Sequence, residues 1–207
     1  INPELTAAAE IAKIFQFPSA IRVYTFARGR VELLHCKLTK DSPLIDMKLM
    51  QLHQKLKVNV LVCIVIRDDE VIIPNGHFIF KEGDIIAIAS SRRNAIDFFR
   101  KAGIMKTPVK NAILAGGGKI SYYLAKTLLL SGIQVKIIEQ DPARCDFLSE
   151  ELPEATIILG DATDQTLLSE EQFASAGGFA CLTGLDEENI LLALHVNANS
   201  KAKTVTK

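Results

Sequence analysis

The stretch NAILAGGGKISYYLAKTLLLSGIQVKIIE, residues 111–139, decides the fold. Its first five residues form a short apolar run, and Gly116-Gly117-Gly118-Lys119-Ile120-Ser121 then opens a segment with helical spacing through Leu130. Gly132 is placed to end that helix, and Gln134 to Glu139 reads as a second strand. A strand, a glycine turn, a helix and a second strand make a βαβ unit carrying G-x-G-x-x-S, the setting of the dinucleotide fingerprint. Gly116 permits the tight turn, and Gly118 has no side chain to block a pyrophosphate. The helix start then offers unpaired N–H groups and the positive end of its dipole. Ser121 stands where the fingerprint has its third glycine. Glu139 lies 21 residues beyond Gly118, where a carboxylate accepts hydrogen bonds from ribose hydroxyls and repels a 2′-phosphate. NAD or an adenine nucleotide is therefore expected over NADP.

The alternation continues toward the C-terminus. Arg144–Leu152, Gln165–Ser175 and Glu187–Ser200 read as helices, Ala155–Leu159 and Gly178–Thr183 as strands, and Lys203–Lys207 starts a fifth strand. Ligands of open parallel sheets sit beyond the carboxyl ends of the strands, so Asp161, Ala162, Thr183 and Gly184 are expected to border the same nucleotide. Lys119 and Arg144 have the length to reach phosphates, although a long cation near a helix end is commonly just solvated.

Upstream the pattern changes. Asn2 to Phe17 predicts a helix capped by Asn2, with Pro3 in its first turn and apolar residues at Leu5, Ala8, Ala9, Ala12 and Phe15. A helix of this length is marginal alone, so the stripe is expected to dock elsewhere, and a partner subunit suits it. Residues 20–103 read as a small α+β module. Its strands are Ile21–Phe26, Val31–Leu38, Val58–Ile66, Val71–Ile73 and Ile85–Ala89, with alternation at Phe78 and Phe80. Arg28-Gly29-Arg30 and the acidic tip Asp68-Asp69-Glu70 are turns, and Ser42–Leu56 and Arg92–Lys101 are helices. The fold class is thus α/β: a Rossmann-like parallel-sheet domain over 109–207, a small α+β domain with its linker over 20–108, and a separate helix over 1–19.

Of the 207 residues, 48% are hydrophobic and 23% charged, so two packed cores are within reach and wholesale disorder is excluded. Lys plus Arg equals Asp plus Glu at 24 each, which argues against a nucleic-acid binder that neutralises phosphates. The apolar run Val60–Ile66 is too short to span a bilayer. Cys36, Cys63, Cys145 and Cys181 form no C-x-x-C pair, which points to a reducing compartment, with Cys63 and Cys181 expected as small core residues. His35 and Cys36, adjacent on a strand, point to opposite faces, so no metal site is expected. Tyr122 and Lys126 have the Y-x-x-x-K spacing of a dehydrogenase pair but sit on the helix after the glycine loop, away from where a nicotinamide would lie. His195 lies in an apolar helix and is expected to be structural. No catalytic residues are assigned.

Together, AGGGKISYYLAKTL (115–128), VKIIEQDPARCDFLSEELP (135–153), ILGDATDQTLLSEE (158–171), CLTGLDEENILLALHV (181–196) and FKEGDIIAIAS (80–90) resemble the regulatory proteins of bacterial Trk potassium uptake, built from domains that regulate potassium conductance. The resemblance implies a cytoplasmic subunit, peripheral on the inner face of the membrane, that binds NAD or NADH and also ATP or ADP. It further implies a homo-oligomer whose partner is a membrane potassium channel or transporter. It carries the ligand role onto Gly116, Gly117, Gly118, Lys119, Ile120, Glu139, Asp161, Thr183 and Gly184. Such proteins repeat a nucleotide domain and a small domain twice, so INPELTAAAEIAKIF (1–15) resembles the crossover helix of a preceding nucleotide domain, and the chain is expected to be a central piece of a longer protein. Two other functions are left open: a fragment of an NAD-dependent oxidoreductase, and a sensor in which the small domain binds a cyclic dinucleotide or cation.

Overall fold

The computed structural model describes residues 2–27, 30–104 and 109–207. The chain divides into two compact units, Ser19–Lys106 in one and Ile1–Pro18 with Thr107–Lys207 in the other. In chain order, helix α1 (Pro3–Gln16) is followed in the smaller unit by β1 (Arg22–Phe26), β2 (Val31–Lys37), α2 (Leu52–Leu56), β3 (Leu61–Arg67), β4 (Glu70–Ile72), β5 (Ile85–Ser90) and α3 (Arg92–Lys101). The larger unit continues with β6 (Asn111–Ala115), α4 (Lys119–Leu129), β7 (Gln134–Glu139), α5 (Pro142–Glu151), β8 (Thr156–Leu159), α6 (Gln165–Glu170), β9 (Gly178–Cys181), α7 (Asp186–Asn199) and β10 (Lys203–Thr206).

The smaller unit is an antiparallel sheet in the order β1-β2-β5-β3-β4. Leu34 and Cys36 of β2 and Ile86 and Ile88 of β5 face its core, where Ala95, Phe98 and Phe99 of α3 are fully buried. Ser91 caps α3 by accepting from the Asn94 N–H, and Gly103, at φ +68°, follows its end. The predicted turn at Arg28-Gly29 lies outside the described residues, as does the linker segment 105–108.

Residues 42–56 do not form one helix. Asp46 takes φ +60°, its N–H bonds Phe80 O, and Lys48 bridges Ile79, so this segment pairs with residues 78–80 before the short α2 forms. Long-range pairing has overridden the helical spacing, and Phe78 and Phe80 flank a single bridge instead of a strand. Cys63 is half-buried, not a core residue. The β3–β5 register shifts between Val62 and Ile64, which leaves Cys63 as the extra residue of a bulge. Cys181 is fully buried, and burial pushes its thiol up to about 12. All four cysteines are free.

In the larger unit five parallel strands lie in the order β10-β9-β6-β7-β8. The chain runs outward from β6 to β8 and returns to β9 on the other side of β6, so the strand order reverses between β6 and β9. That reversal opens a crevice at the carboxyl ends of the strands. One face packs under α1, α4 and α5, the other under α6 and α7, each over its own apolar cluster. The helix expected over 165–175 is broken. Gln172 takes φ +58° and a 3-10 turn, Phe173–Ser175, follows, which swings Phe173 into the core.

Helix α1 begins as expected, with Asn2 Oδ1 accepting from the Leu5 N–H at 3.1 Å. Its stripe is not left for a partner subunit. Ala8, Ala12 and Phe15 are buried in this chain against Leu124, Leu128 and the sheet. Asn2 Nδ2 donates to the Tyr123 hydroxyl at 3.2 Å and Gln16 Nε2 to Ser131 Oγ at 3.1 Å, so α1 runs parallel to α4 along its length. Phe15 lies over Gly178, where an added Cβ would stand 3.2 Å from the ring. Among the described residues no helix is long and apolar enough to cross a membrane.

Candidate functional site

At the carboxyl edge of the parallel sheet lies a cleft of about 370 Å3. Its floor is the turn between β6 and α4. Gly116, at φ +97°, leaves no room for a side chain, since a Cβ there would stand 2.7 Å from Leu182 O. Gly117 is equally confined, with Leu148 Cδ1 and Glu139 Oε2 within 2.9 Å of where its Cβ would be. Gly118 differs: nothing lies within 4 Å of its missing Cβ. The start of α4 is therefore uncovered on the side where that side chain would stand, which leaves room for an approaching phosphate at the helix N-terminus.

Glu139 closes one side. Its Oε2 accepts from the Gly117 N–H at 2.6 Å, and its Oε1 accepts from the N–H groups of Gln140 and Asp141 at 2.8 and 2.9 Å. A carboxylate has about four lone-pair positions, so roughly one is left to accept from a ligand hydroxyl. At the end of β8, Asp161 Oδ1 accepts from both the N–H and the hydroxyl of Thr163 at 2.8 Å, and these bonds hold its carboxyl below the usual carboxylate range. Beyond β9, Thr183 turns inward. Its N–H and its Oγ1 each lie 2.9 Å from Oδ1 of the fully buried Asn189, so it shapes the wall and offers little to a ligand.

Eight of the ten residues expected to bind nucleotide border this one cleft: Gly116, Gly117, Gly118, Glu139, Asp161, Ala162, Thr183 and Gly184. Lys119 and Ile120 do not. They border an adjoining recess of about 240 Å3 with Glu4 of α1, Gly118, Leu182 and Lys207. Sequence reasoning missed Gln140, Gly160 and Leu182, which follow strand ends and were discoverable by the same rule. It also missed Lys207, which follows the end of β10, and Leu185 and Glu188, which carry no local signal. Arg144 meets the glycine loop itself, with Nε donating to Gly117 O at 2.6 Å.

The charge pattern is informative. Among the described residues, Glu139, Asp161 and Glu188 line the cleft and Lys207 is its one cation. Anion binding there falls to backbone amides and the α4 dipole, while the carboxylates suit hydroxyl and amino donors. A nucleotide presents both kinds of group. The Tyr122–Lys126 pair lies elsewhere: the Tyr122 hydroxyl is 3.1 Å from Glu151 Oε2, and Lys126 Nζ is 5.9 Å from the Tyr122 ring centroid. His195 stacks on Phe173 at 5.5 Å. Among the described residues no group of three or more His, Cys, Asp or Glu is placed to hold a metal.

Comparison with known proteins agrees with both units. The TrkA-C domain family matches residues 36–103 and the TrkA-N domain family matches residues 112–207. The chain is 34% identical over 195 residues to the Trk system potassium uptake protein TrkA homolog of Archaeoglobus fulgidus, which covers 94% of this chain and 44% of that protein. It is 31% identical over 195 residues to the TrkA protein of Vibrio alginolyticus, covering 94% and 42%. The chain thus spans about half the length of the curated relatives it matches. Among solved structures, the GsuK channel aligns over 98% of this chain and 36% of its own, with a TM-score of 0.58 at 15% identity. The GsuK channel bound to NAD aligns over 96% and 36%, with a TM-score of 0.52 at 16% identity. At those identities the likeness is one of fold, and it extends across both units. With its TrkA-C and TrkA-N domains in this order, the chain belongs to the TrkA family of Trk potassium-uptake proteins.

Proposed function

We propose that this chain is the nucleotide-sensing part of a regulatory subunit for potassium uptake, and that the cleft beside Gly118 binds NAD or NADH, with ATP or ADP using the same adenosine and phosphate positions. The observation that carries this is the pairing, within one cleft, of free helix-start amides at Gly118 with the Glu139 carboxylate 21 residues on. The amides take a pyrophosphate and the carboxylate takes a ribose diol. Relatives named as Trk potassium uptake proteins and a fold-related channel solved with NAD support it.

The subunit acts as a peripheral, cytoplasmic homo-oligomer on a membrane potassium transporter, and α1 is the crossover helix of a preceding nucleotide domain. A bound nucleotide shifts the transporter only through different affinities for two arrangements of the assembly. It catalyses no reaction: the cleft brings together carboxylates and backbone amides, and the one dehydrogenase-like pair, Tyr122 and Lys126, faces Glu151 on another surface.

Calorimetric titration with NAD, NADH, ATP, ADP and NADP tests this. NADH is expected to bind without being consumed and NADP to bind more weakly. Glu139→Ala is expected to reduce NADH affinity by about tenfold or more, since a charged acceptor is lost from the ribose and from the glycine loop. Unchanged NADH affinity in that variant would sink the ribose assignment, and turnover of NADH would return the chain to the oxidoreductases.

A further inference from the structure

Arg144 stands in a poor place for a cation. It occupies the third position of α5, in the first helical turn, where the dipole favours acids. Its side chain is nevertheless held at two points. Nε donates to Gly117 O at 2.6 Å, and the guanidinium carbon lies 4.5 Å from the ring centroid of Phe147, one turn further along α5. Charge assistance and the stacked plane fix the direction of that bond. The other side of the same residue is also taken, because the Gly117 N–H donates to Glu139 Oε2. Gly117 is thus gripped by its N–H from β7 and by its carbonyl from α5.

The consequence follows from peptide geometry. The described residues contain no cis peptide bond, so the N–H of Gly118 points opposite to the Gly117 carbonyl. With that carbonyl turned toward Arg144, the Gly118 N–H is turned away from Arg144, and Gly118 itself lines the cleft with nothing at its missing Cβ position. Three successive glycines have little intrinsic preference for this orientation, and the peptide between Gly117 and Gly118 has no side chain on either flank to stop it rotating. Something outside the loop must select it.

We propose that Arg144 is the positioning residue of the phosphate cradle. By holding the Gly117 carbonyl it keeps the Gly118 N–H aimed at the phosphate, and it does so without touching the nucleotide. This rests on the nucleotide-binding function proposed above and deepens it. A cation direct to phosphate is the obvious alternative for Arg144, but its Nε is already committed to the loop.

The experiment compares wild type, Arg144→Met and Arg144→Lys by titration with ADP and with adenosine, alongside the 15N–1H resonance of Gly118 in the ligand-free protein. In Arg144→Met, ADP affinity is expected to fall about tenfold with adenosine affinity unchanged. The Gly118 amide signal is expected to shift or broaden as its peptide samples a second orientation. Arg144→Lys keeps a donor for the carbonyl, so it restores most of the ADP affinity and the Gly118 signal. ADP affinity equal to wild type in Arg144→Met overturns the proposal. A parallel loss of adenosine affinity also overturns it, because Arg144 then contacts the nucleoside. If wild type binds no nucleotide, the proposed function fails on its own, and the Gly118 signal still decides whether Arg144 orients the loop.

Discussion

Ser121 is a hydroxyl sealed inside a contact built for a glycine. The third position of the fingerprint lies where α4 passes close to the sheet, and serine fits there with its side chain fully buried. Its Oγ has no hydrogen-bond partner among the described residues. A buried group left unpaired costs about 1–3 kcal/mol. Ser121→Ala removes the orphan atom, leaves a cavity smaller than a methyl group and suits the helix interior, so a gain of about 1 kcal/mol is expected. The check is a higher urea midpoint with an unchanged denaturant slope. A lower midpoint would show that the hydroxyl has a bonding role in solution. The same scale shows what a sequence conveys about a site. That Gly116, Gly118 and Glu139 meet in one cleft is legible, because backbone freedom and charge stand at a fixed spacing in a βαβ unit. Thr183 is legible as a residue after a strand end and it lines the cleft, but its hydrogen bonding is not legible, since the bond that turns it inward comes from Asn189 on the following helix. The sequence leaves Arg144 as a solvated cation or a phosphate ligand, because nothing local reveals that a carbonyl 27 residues earlier awaits it.

At the scale of elements, the smaller unit depends on an ion pair that spacing does not announce. Arg67 ends β3, and its Nε and Nη2 meet the two carboxylate oxygens of Asp84 at 2.7 Å each. Asp84 is fully buried, also accepts from the Lys81 N–H, and so ties the turn before β5 to the end of the β3–β4 hairpin. The fork also donates to Ile79 O at 2.9 Å and stacks 4.9 Å from the Phe78 ring centroid. Asp84→Ala breaks the pair, takes the acceptor from the Lys81 N–H and the Arg67 Nε, and leaves the guanidinium only its bond to Ile79 O. Loss of a buried partner costs about 3–5 kcal/mol, and Arg67 keeps 25% of its side chain in solvent, so a loss of about 2–3 kcal/mol is expected. Hydrogen exchange checks it, with β3, β4 and β5 amides losing protection together. Unchanged protection would mean the pair is dispensable. Helix α1 is legible because Asn2 caps it, and the parallel strands because apolar runs sit between turn signals. The segment 42–56 was not, since Asp46 and Lys48 bond to residues over thirty positions away.

For the whole molecule, the order of the chain and the order of its packing differ. The larger unit is assembled from both ends of the sequence, with the smaller unit's residues lying between them. Helix α1 has the length at which an isolated helix is marginal in water, so what holds it is the stripe it buries on α4 and the sheet. Phe15 is the largest side chain in that stripe, 1% exposed, and Gly178 gives it room by having none. Phe15→Ala therefore leaves a cavity that the facing glycine cannot fill, and aromatic truncations of this kind cost about 3–5 kcal/mol. A loss near the low end, about 3 kcal/mol, is expected because α1 lies at the edge of the sheet and relaxes into the space. The amides of α1, α4, β9 and β10 are expected to lose protection in hydrogen exchange, since these elements share its cluster. Gly178→Ala is the complementary test. A Cβ there meets the Phe15 ring at 3.2 Å, so the ring and α1 must shift by a few tenths of an ångström, which strains the docking without removing any apolar surface. If both variants keep wild-type protection along α1 and α4, the helix is not docked in solution, and the burial of its stripe in this chain is refuted. If both release α1, the glycine cleft and the N-terminal helix belong to one cooperative body. A nucleotide at Gly118 and any force on α1 then act on the same folding unit.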